Sequence, residues 1–245
     1  MPQSAIMNAV IPDGANAMEL QGKRIAVTGA FGALGAAMVA GAVAAGARVA
    51  AIDRAAVPSG FAAATAIGNV DLADTAAAKT AIDAAAKALG GLDGLVNIAG
   101  TFRWETLADG SADTWDLLYR VNLRTAVAAS QAAIPHLIAS GTGRIVNISA
   151  AGSVKAGAGM GAYAASKSGV ARLTEALAEE LKDRGITVNA ILPSTIDTAA
   201  NRADMPKADF SRWVKPAQLS DVIVFLLSDR ASAVTGALLP VMGRV

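Results

Sequence analysis

The stretch that decides the fold is RIAVTGAFGALGAAMVAGA, residues 24–42. It begins with an apolar run of strand length, continues through Gly29, Gly32 and Gly35, and ends in an alanine-rich segment of helix length. Glycines between a strand and a helix let the backbone turn tightly and approach a pyrophosphate, and the helix N-terminus offers free N–H groups. The stretch predicts a dinucleotide-binding turn, with close packing of helix on sheet as the structural alternative.

A second strand, RVAAI at residues 48–52, leads into Asp53 and Arg54. A carboxylate in this place accepts hydrogen bonds from an adenosine ribose and repels a 2′-phosphate. Asp53 therefore favours NAD(H), while the neighbouring Arg54 leaves NADP(H) open. Asp71 follows the third strand and is expected either to reach the adenine edge or to cap the next helix.

Apolar runs of strand length alternate with helix-length segments along the chain. Such alternation is typical of crossover units in a parallel sheet. We predict an α/β fold, a single Rossmann-like doubly wound parallel sheet of about seven strands with helices on both faces. The predicted strands are Arg24–Thr28, Arg48–Ile52, Thr65–Val70, Gly94–Ile98, Arg144–Ser149, Thr187–Leu192 and Leu238–Met242. The predicted helices lie near 33–46, 73–89, 111–139, 161–184 and 217–228.

Composition excludes several kinds of function. The chain has 245 residues with a net charge of +1 and no basic run, so a nucleic-acid or anionic-membrane partner has no electrostatic basis. It has no cysteine, which excludes disulfides, thiolate metal sites and a cysteine nucleophile. His136 is the single histidine, so a multi-histidine metal site is excluded as well, and no metal is expected.

Two regions of the chain are expected to differ in order. Residues 1–18 lack the basic start and apolar core of a signal peptide and are expected to form a poorly ordered tail. Residues 19–245 show no linker or repeat and are expected to form one domain.

The uncharged segment 26–47 is long enough to suggest a membrane span, but its many Ala and Gly residues favour a strand–turn–helix. We expect a cytoplasmic protein.

The stretch GAYAASK, residues 161–167, carries the candidate chemistry. Tyr163 and Lys167 are four residues apart and share one face of a predicted helix. A free tyrosine has a pKa of about 10, and a nearby ammonium favours the phenolate. Tyr163 can then exchange a proton with a carbonyl oxygen as a hydride is transferred.

These motifs resemble the short-chain dehydrogenase/reductase family over residues 20–245. The resemblance implies a nicotinamide cofactor, a small-molecule substrate and a homotetramer or homodimer. It also implies that Lys167 binds the nicotinamide ribose and that Asn122 anchors a water in a proton relay. The motifs that carry it are Thr28-Gly29-x-x-x-Ala33-x-Gly35, Asn97-Ile98-Ala99-Gly100, Asn122 in YRVNLRT, Tyr163-x-x-x-Lys167, and ITVNAILPSTIDT at residues 186–198.

A set of residues in these motifs is expected to bind the cofactor. Ser194 stands where the family usually has a glycine, and Thr195 and Thr198 can hydrogen-bond the nicotinamide amide. The expected set is Gly29, Phe31, Gly32, Ala33, Leu34, Gly35, Asp53, Arg54, Asp71, Leu72, Asn97, Ala99, Gly100, Tyr163, Lys167, Pro193, Thr195, Ile196 and Thr198.

This sequence departs from the family at the position of the substrate-orienting serine. It usually lies thirteen residues before the tyrosine, and that position is Ala150 here. Ser149 needs a shift of one residue, and neighbouring strand residues point to opposite faces. Ser153 falls on the following loop. Ser149 is therefore only a fallback candidate for the catalytic serine.

The loop at residues 193–213 resembles that of dihydropteridine reductases, a branch of the family that works without this serine. The family resemblance predicts a small carbonyl or quinone-like compound as the substrate. The loop resemblance adds a dihydropterin as the alternative. A non-catalytic NADH-binding sensor or scaffold is the alternative of another class. Phe102, Trp104 and Trp213 are expected either to line a flat substrate's pocket or to close the loop, and Trp115 and Tyr119 to pack in a core or a subunit interface.

Overall fold

The computed structural model describes residues 19–245, and the tail predicted at 1–18 lies outside them. Seven parallel strands form one sheet in the order β3-β2-β1-β4-β5-β6-β7. The predicted fold class is therefore confirmed. The strands are β1 Arg24–Thr28, β2 Arg48–Ile52, β3 Thr65–Ile67, β4 Gly94–Asn97, β5 Arg144–Ile148, β6 Thr187–Pro193 and β7 Leu238–Val241.

The helices cover both faces of the sheet. Their bounds are α1 Ala33–Ala44, α2 Thr75–Leu89, α3 Ala112–Leu118, α4 Thr125–Ser140, α5 Gly161–Leu181, α6 Ala199–Asp204 and α7 Pro216–Leu227. Alternation along β1 assigns the faces, because Ile25 and Val27 pack with α1 and α7, whereas Ala26 packs with α2, α4 and α5. Each face thus has its own buried apolar layer.

The boundaries differ from the sequence prediction in a few places. The third strand ends at Ile67 rather than Val70, since Asn69 has a positive φ of 60° and turns the chain. Asp74 caps α2 by accepting hydrogen bonds from the N–H groups of Ala76 and Ala77. The last turn before Gly185 is 3₁₀ rather than α, and Gly185 ends it in the left-handed conformation.

The helix predicted over 111–139 is interrupted. Residues Tyr119–Arg124 form a π-helical turn between α3 and α4. Asn122 lies in this turn, buried, with its side chain bonded to neighbouring segments. Single π turns inside helices occur frequently at functional sites, and no feature of the sequence period announces one.

The strand order fixes the place of the site. The chain moves outward from β1 to β2 and β3, then crosses back to β4 on the other side of β1. Ligands of open α/β sheets bind outside the carboxyl ends of the strands at this reversal. None of the helices within residues 19–245 combines the length and apolar character needed to cross a membrane.

Candidate active site

A cleft of about 1910 Å³ opens along the carboxyl ends of the strands. Its walls are the turns that follow β1, β2, β4, β5, β6 and β7. Pockets for a single small molecule are usually about 300–1,000 Å³, so this cleft has room for a dinucleotide and a substrate together.

The glycine turn after β1 forms one wall of the cleft. Gly29 has a φ of 64°, and a Cβ there would lie 2.7 Å from the backbone N of Ala99. A Cβ at Gly35 would lie 2.1 Å from the Gly29 carbonyl oxygen, so both positions require glycine. Gly32 faces open space, with its nearest contact at 3.5 Å, and no side chain caps α1. The turn and the free N–H groups of α1 therefore fit a cofactor's phosphates.

Asp53 follows β2 and lies at the same end of the cleft. One carboxylate oxygen accepts a hydrogen bond from the Phe31 N–H and the other from the Ala55 N–H, both at 2.9 Å. These two bonds fix the carboxylate beside the glycine turn. Arg54 is exposed and also lines the cleft.

Asp71 lies on the loop that follows β3 and lines the same end of the cleft. Its carboxylate accepts hydrogen bonds from the Ala73 N–H at 3.0 Å and from Arg120 at 2.7 Å. The backbone bond from Ala73, followed by Arg120, holds the pKa of Asp71 below its usual range. Since Asp74 caps α2, the helix-cap alternative for Asp71 is wrong, and its side chain lines the cleft.

Tyr163 and Lys167 project from α5 into the centre of the cleft. The Lys167 side chain is almost fully buried, and its Nζ donates a hydrogen bond to the Ile148 carbonyl at 2.8 Å. Burial lowers the pKa of Lys167 to about 8 and raises the pKa of Tyr163 to about 12. The expected lowering of the Tyr163 pKa by the ammonium is therefore not found, because burial raises this pKa.

Asn122 is tied to the pair through Ser166, a residue that sequence reasoning missed. Its Oδ1 accepts from the Thr101 N–H at 2.7 Å, and its Nδ2 donates to the Ser166 hydroxyl at 2.9 Å. Ser166 in turn donates to the Tyr163 carbonyl at 2.8 Å. The signal that finds Ser166 is its place within Tyr163-x-x-x-Lys167.

Gly100 explains how Asn122 and Lys167 come together. A Cβ at Gly100 would lie 3.0 Å from the Asn122 Oδ1 and 3.3 Å from the Lys167 Nζ. Any side chain at this position would press on both groups. The glycine therefore keeps the polar end of the cleft open between them.

Neither candidate serine offers a free hydroxyl to the cleft, although Ser149 is among the residues that line it. The Ser149 hydroxyl is buried and donates to the Lys167 carbonyl at 2.8 Å, and the Ser153 hydroxyl donates to the Ala150 carbonyl at 2.7 Å. Ala150 lines the cleft where the family's serine is expected. The fallback assignment of Ser149 as a catalytic residue stays a prediction, and the use of its hydroxyl to fasten β5 to α5 argues against it.

Asn97 is a second correction. It was predicted to bind the cofactor, but its side chain is buried and donates to Ser130 at 3.0 Å and to Asn147 at 2.8 Å. These bonds link the interior of the sheet to α4. The remaining residues of the predicted set line the cleft, namely Gly29, Phe31, Gly32, Ala33, Leu34, Gly35, Asp53, Arg54, Asp71, Leu72, Ala99, Gly100, Tyr163, Lys167, Pro193, Thr195, Ile196 and Thr198.

The loop after β6 closes one side of the cleft. Thr198 caps α6 by accepting a hydrogen bond from the Asn201 N–H. Arg202 forms a two-bond ion pair with Asp197, at 2.5 and 2.8 Å, and its guanidinium lies 4.8 Å from the centre of the Phe210 ring. Most of the residues in the motif that resembles the dihydropteridine reductase loop thus form their contacts with one another.

The three aromatic side chains have different roles. Phe102 packs edge-on against Tyr163, with ring centres 4.9 Å apart, and Trp104 donates from Nε1 to the Ala158 carbonyl at 2.9 Å. Both line the cleft. Trp213 is buried against Phe210, so it closes the loop and does not line the substrate's pocket.

Further cleft residues were not singled out from the sequence. They share a position on loops that follow strands, which is the signal that locates them. They include Arg103, Lys155, Met160, Asp204 and Met242, while Asn201 and Met205 of the 193–213 loop motif also line the cleft. Within residues 19–245 no cluster of three or more His, Asp or Glu side chains is placed to hold a metal.

The parallel sheet and the glycine turn define a dinucleotide-binding fold, and the Tyr163–Lys167 pair lies in the same cleft. The short chain dehydrogenase family model matches residues 23–209. The chain belongs to this family, and it is an NAD(P)-dependent oxidoreductase that acts on a small molecule.

Named relatives span almost the whole chain. The 2-(S)-hydroxypropyl-CoM dehydrogenase 3 of Xanthobacter autotrophicus is 31% identical over 91% of this chain and 96% of its own. The 2-dehydro-3-deoxy-D-gluconate 5-dehydrogenase of Escherichia coli is 34% identical over 93% of this chain and 97% of its own. A crystal structure of a short chain dehydrogenase from Burkholderia cenocepacia in complex with NADP is 34% identical, with a TM-score of 0.79 over 92% of this chain and 98% of that chain.

Proposed function

We propose that the protein is an NAD(H)-preferring oxidoreductase that interconverts a small carbonyl or quinone-like compound with its alcohol or hydroquinone, with Tyr163 as the general acid and base. The observation that carries the proposal is that Tyr163 and Lys167 lie in the same cleft as a glycine turn that fits a dinucleotide. The relatives are named as dehydrogenases of hydroxyl compounds, which supports the same reaction type.

The proton steps follow from the side chains in the cleft. A bound nicotinamide supplies or accepts the hydride at the substrate carbon. As a carbonyl is reduced, the Tyr163 phenol donates its proton to the carbonyl oxygen. In the reverse direction the phenolate accepts the alcohol proton. A pKa near 12 keeps the phenol protonated at neutral pH, which suits the reducing direction.

Lys167 and Asn122 support that proton transfer. Lys167 Nζ bonds to the Ile148 carbonyl and lies beside Gly100, across from Asn122 Oδ1. An ammonium with a pKa near 8 can return a proton to the Tyr163 phenolate at neutral pH. We assign Lys167 to this role and to the cofactor's ribose, and Asn122 to holding a water in the same relay.

Cofactor preference rests on Asp53. Its carboxylate is fixed by two N–H groups beside the glycine turn, where it accepts ribose hydroxyls and repels a 2′-phosphate. We propose a preference for NAD(H), although the Burkholderia relative is described in complex with NADP. Arg54 beside Asp53 offers a charge that a 2′-phosphate can use, so use of NADP(H) is expected to be weaker rather than absent.

Reduction of a quinonoid dihydropterin is the second candidate. Ala150 in the cleft favours it, because both nearby serine hydroxyls are bonded elsewhere and the branch that resembles this loop works without that hydroxyl. For an ordinary ketone, losing one donor to the developing oxyanion costs about 10²–10³ in rate. A conjugated ring that spreads the negative charge needs that donor less.

The protein of another class, a non-catalytic NADH-binding sensor or scaffold, is the third candidate. Ala150 and Ser194 motivate it, and the latter's hydroxyl is bonded to the Met242 carbonyl at 2.6 Å. Retention of the Tyr163–Lys167–Asn122 group in one cleft argues against it.

We further propose that the protein forms a homo-oligomer in the cytoplasm. The exposed aromatic side chains Trp115 and Tyr119, 40% and 51% exposed, support the assembly. Light scattering tests it.

A matched assay separates these functions. Oxidation of NADH and of NADPH is followed at 340 nm with quinonoid dihydropterin, ketones, aldehydes and quinones under the same conditions. Turnover of a carbonyl or quinone with NADH supports the main proposal, and selective turnover of the dihydropterin supports the second. Tight NADH binding without turnover of any acceptor would support the third candidate, the non-catalytic sensor or scaffold.

A further inference from the structure

The substrate end of the cleft carries cations that the proposed mechanism does not use. Arg103 and Lys155 line it on two different loops, after β4 and after β5. Both side chains are exposed to the solvent that fills the cleft. Within residues 19–245 neither forms a hydrogen bond or an ion pair with another side chain.

The two loops that carry these cations are joined to each other. The Glu105 N–H donates to the Gly159 carbonyl at 2.8 Å, and the Trp104 indole donates to the Ala158 carbonyl at 2.9 Å. Arg103 directly precedes the first loop's contact residues, and Lys155 lies on the loop that accepts them. The two charges are therefore held on one rim of the cleft, next to the Phe102 ring that packs against Tyr163.

The nearest carboxylate along the chain is already engaged. Glu105 accepts hydrogen bonds from the Ser111 N–H and from the Thr114 hydroxyl. These bonds hold the pKa of Glu105 below its usual range, with a smaller contribution from Arg103. Because this carboxylate is turned toward the start of α3, Arg103 has no ion-pair partner in the described part of the chain.

The opposite wall has a different character. The loop after β6 contributes Asn201, Asp204 and Met205, and Asp204 is the acidic side chain at this end. Among the described cleft-lining residues that follow β4, β5 and β6 on their loops, the charged side chains are thus Arg103, Lys155 and Asp204. Met160 and Met242 add apolar surface between them.

We infer that the substrate carries an anionic group, a carboxylate, sulfonate or phosphate, that binds Arg103 and Lys155 while an apolar body lies against Phe102 and Trp104. This deepens the proposed function and rests on it. Cations on one rim and Asp204 on the other orient such a molecule with its anion away from the loop after β6. Hydrogen bonds to charged groups outweigh neutral ones, so the anion contributes to specificity as well as to binding.

The test compares anionic substrates with neutral isosteres. The pairs are 4-formylbenzoate with methyl 4-formylbenzoate, and 5-oxohexanoate with its methyl ester, each assayed with NADH. In the wild-type protein we expect kcat/KM to favour the anion of at least one pair by about tenfold or more. Raising the ionic strength to about 1 M, where the Debye length is about 3 Å, should reduce this preference.

Charge-removing variants locate the effect. Arg103→Gln and Lys155→Gln together should bring the ratio of anion to ester close to one and leave the ester's kcat/KM within about twofold of wild type. Arg184→Gln and Lys87→Gln remove an exposed arginine and an exposed lysine outside the cleft and serve as matched controls. Equal use of both members by the wild type, or an equal loss of both in the double variant, overturns the inference.

A binding measurement separates this inference from the proposed function. Calorimetry on the NADH-loaded protein compares benzoate with benzamide, neither of which needs to be turned over. If no carbonyl of the panel is reduced but benzoate binds better than benzamide in wild type only, the anion site stands and the proposed function fails. Equal affinities in the wild type overturn the anion site whatever the turnover.

Discussion

The Ser149 hydroxyl donates a hydrogen bond to the main-chain carbonyl of Lys167, 2.8 Å away. The serine that lies closest in sequence to the expected catalytic position is therefore used to hold β5 against α5. Its neighbour Ala150 faces the cleft and brings no hydroxyl. This contact separates two roles that the sequence alone leaves mixed, and it has a direct experimental consequence.

Ala150→Ser should restore a donor for the developing oxyanion. We expect kcat/KM for a plain ketone or aldehyde to rise by about tenfold or more, because one such donor is typically worth about 10²–10³. Ser149→Ala is the matched control and should change kcat by less than about threefold while lowering the free energy of unfolding by about 1 kcal/mol. A large loss of kcat in Ser149→Ala with unchanged stability would contradict the assignment.

Asp53→Asn tests cofactor choice while keeping one of the two bonds from the Phe31 and Ala55 N–H groups, since the asparagine amide has a single oxygen that can accept. Because the negative charge is removed while one acceptor remains, kcat/KM for NADPH relative to NADH should rise by about tenfold. Asp53→Ala should shift the ratio in the same direction and also raise KM for both cofactors, since the turn loses its support. The measurement is steady-state kinetics with each cofactor. An unchanged ratio of kcat/KM for NADPH to that for NADH would show that Asp53 does not set the cofactor preference.

Stability should depend on pH through Lys167. Burial lowers its pKa from 10.5 to about 8, so between these values the unfolded chain binds a proton that the folded chain does not. Stability contributed by this group therefore rises with pH across that window, by at most about 1.4 kcal/mol per pH unit. Lys167→Met removes the effect, and its unfolding free energy should gain on wild type as pH falls from about 10 to about 7.

Chemical unfolding of wild type and Lys167→Met at several pH values checks this sign. Tyr163 acts in the opposite direction at higher pH, since its raised pKa makes the unfolded chain lose a proton first, from pH 10 to about 12. A difference between the two proteins that does not change between pH 8 and 10 would show that Lys167 is not titrating as its burial requires.

The loop after β6 should depend on its ion pair for order rather than for global stability. Arg202→Lys loses the two-bond pairing with Asp197 and the stacking over Phe210. We expect amide hydrogen exchange to speed up over residues 197–213 and KM for substrate to rise severalfold, with Tm nearly unchanged because the Arg202 side chain is exposed. Arg172→Lys, in an exposed pair with Glu175 on α5, is the control.

The parts of the site that repeat a backbone rule could be predicted from the sequence. Gly29 and Gly35 lie where a Cβ would collide with backbone, so their spacing reports real constraints. Asp53, Tyr163 and Lys167 follow from strand ends and helix spacing in the same way. The alternation of strand-length and helix-length segments likewise predicted the parallel sheet.

The rest depends on partners that are distant in sequence. Asn97 reads as part of a cofactor motif, but its amide bonds to Ser130 and Asn147 inside the protein. Asn122 lies in a π turn that the helical period over 111–139 does not reveal. The direction of the Ser149 hydroxyl depends on the register of β5 against α5, which no local pattern gives.

The role of Tyr163 is tested by the turnover of Tyr163→Phe beside that of Tyr119→Phe, which changes the only other tyrosine in the chain. Each variant is assayed for NADH oxidation with the best acceptor of the panel, and NADH affinity is measured by fluorescence. We predict that Tyr163→Phe lowers kcat by about 10²–10⁴ with NADH affinity within a few-fold of wild type, while Tyr119→Phe keeps near wild-type kcat. Full turnover in Tyr163→Phe would contradict the assignment of Tyr163 as the acid and base.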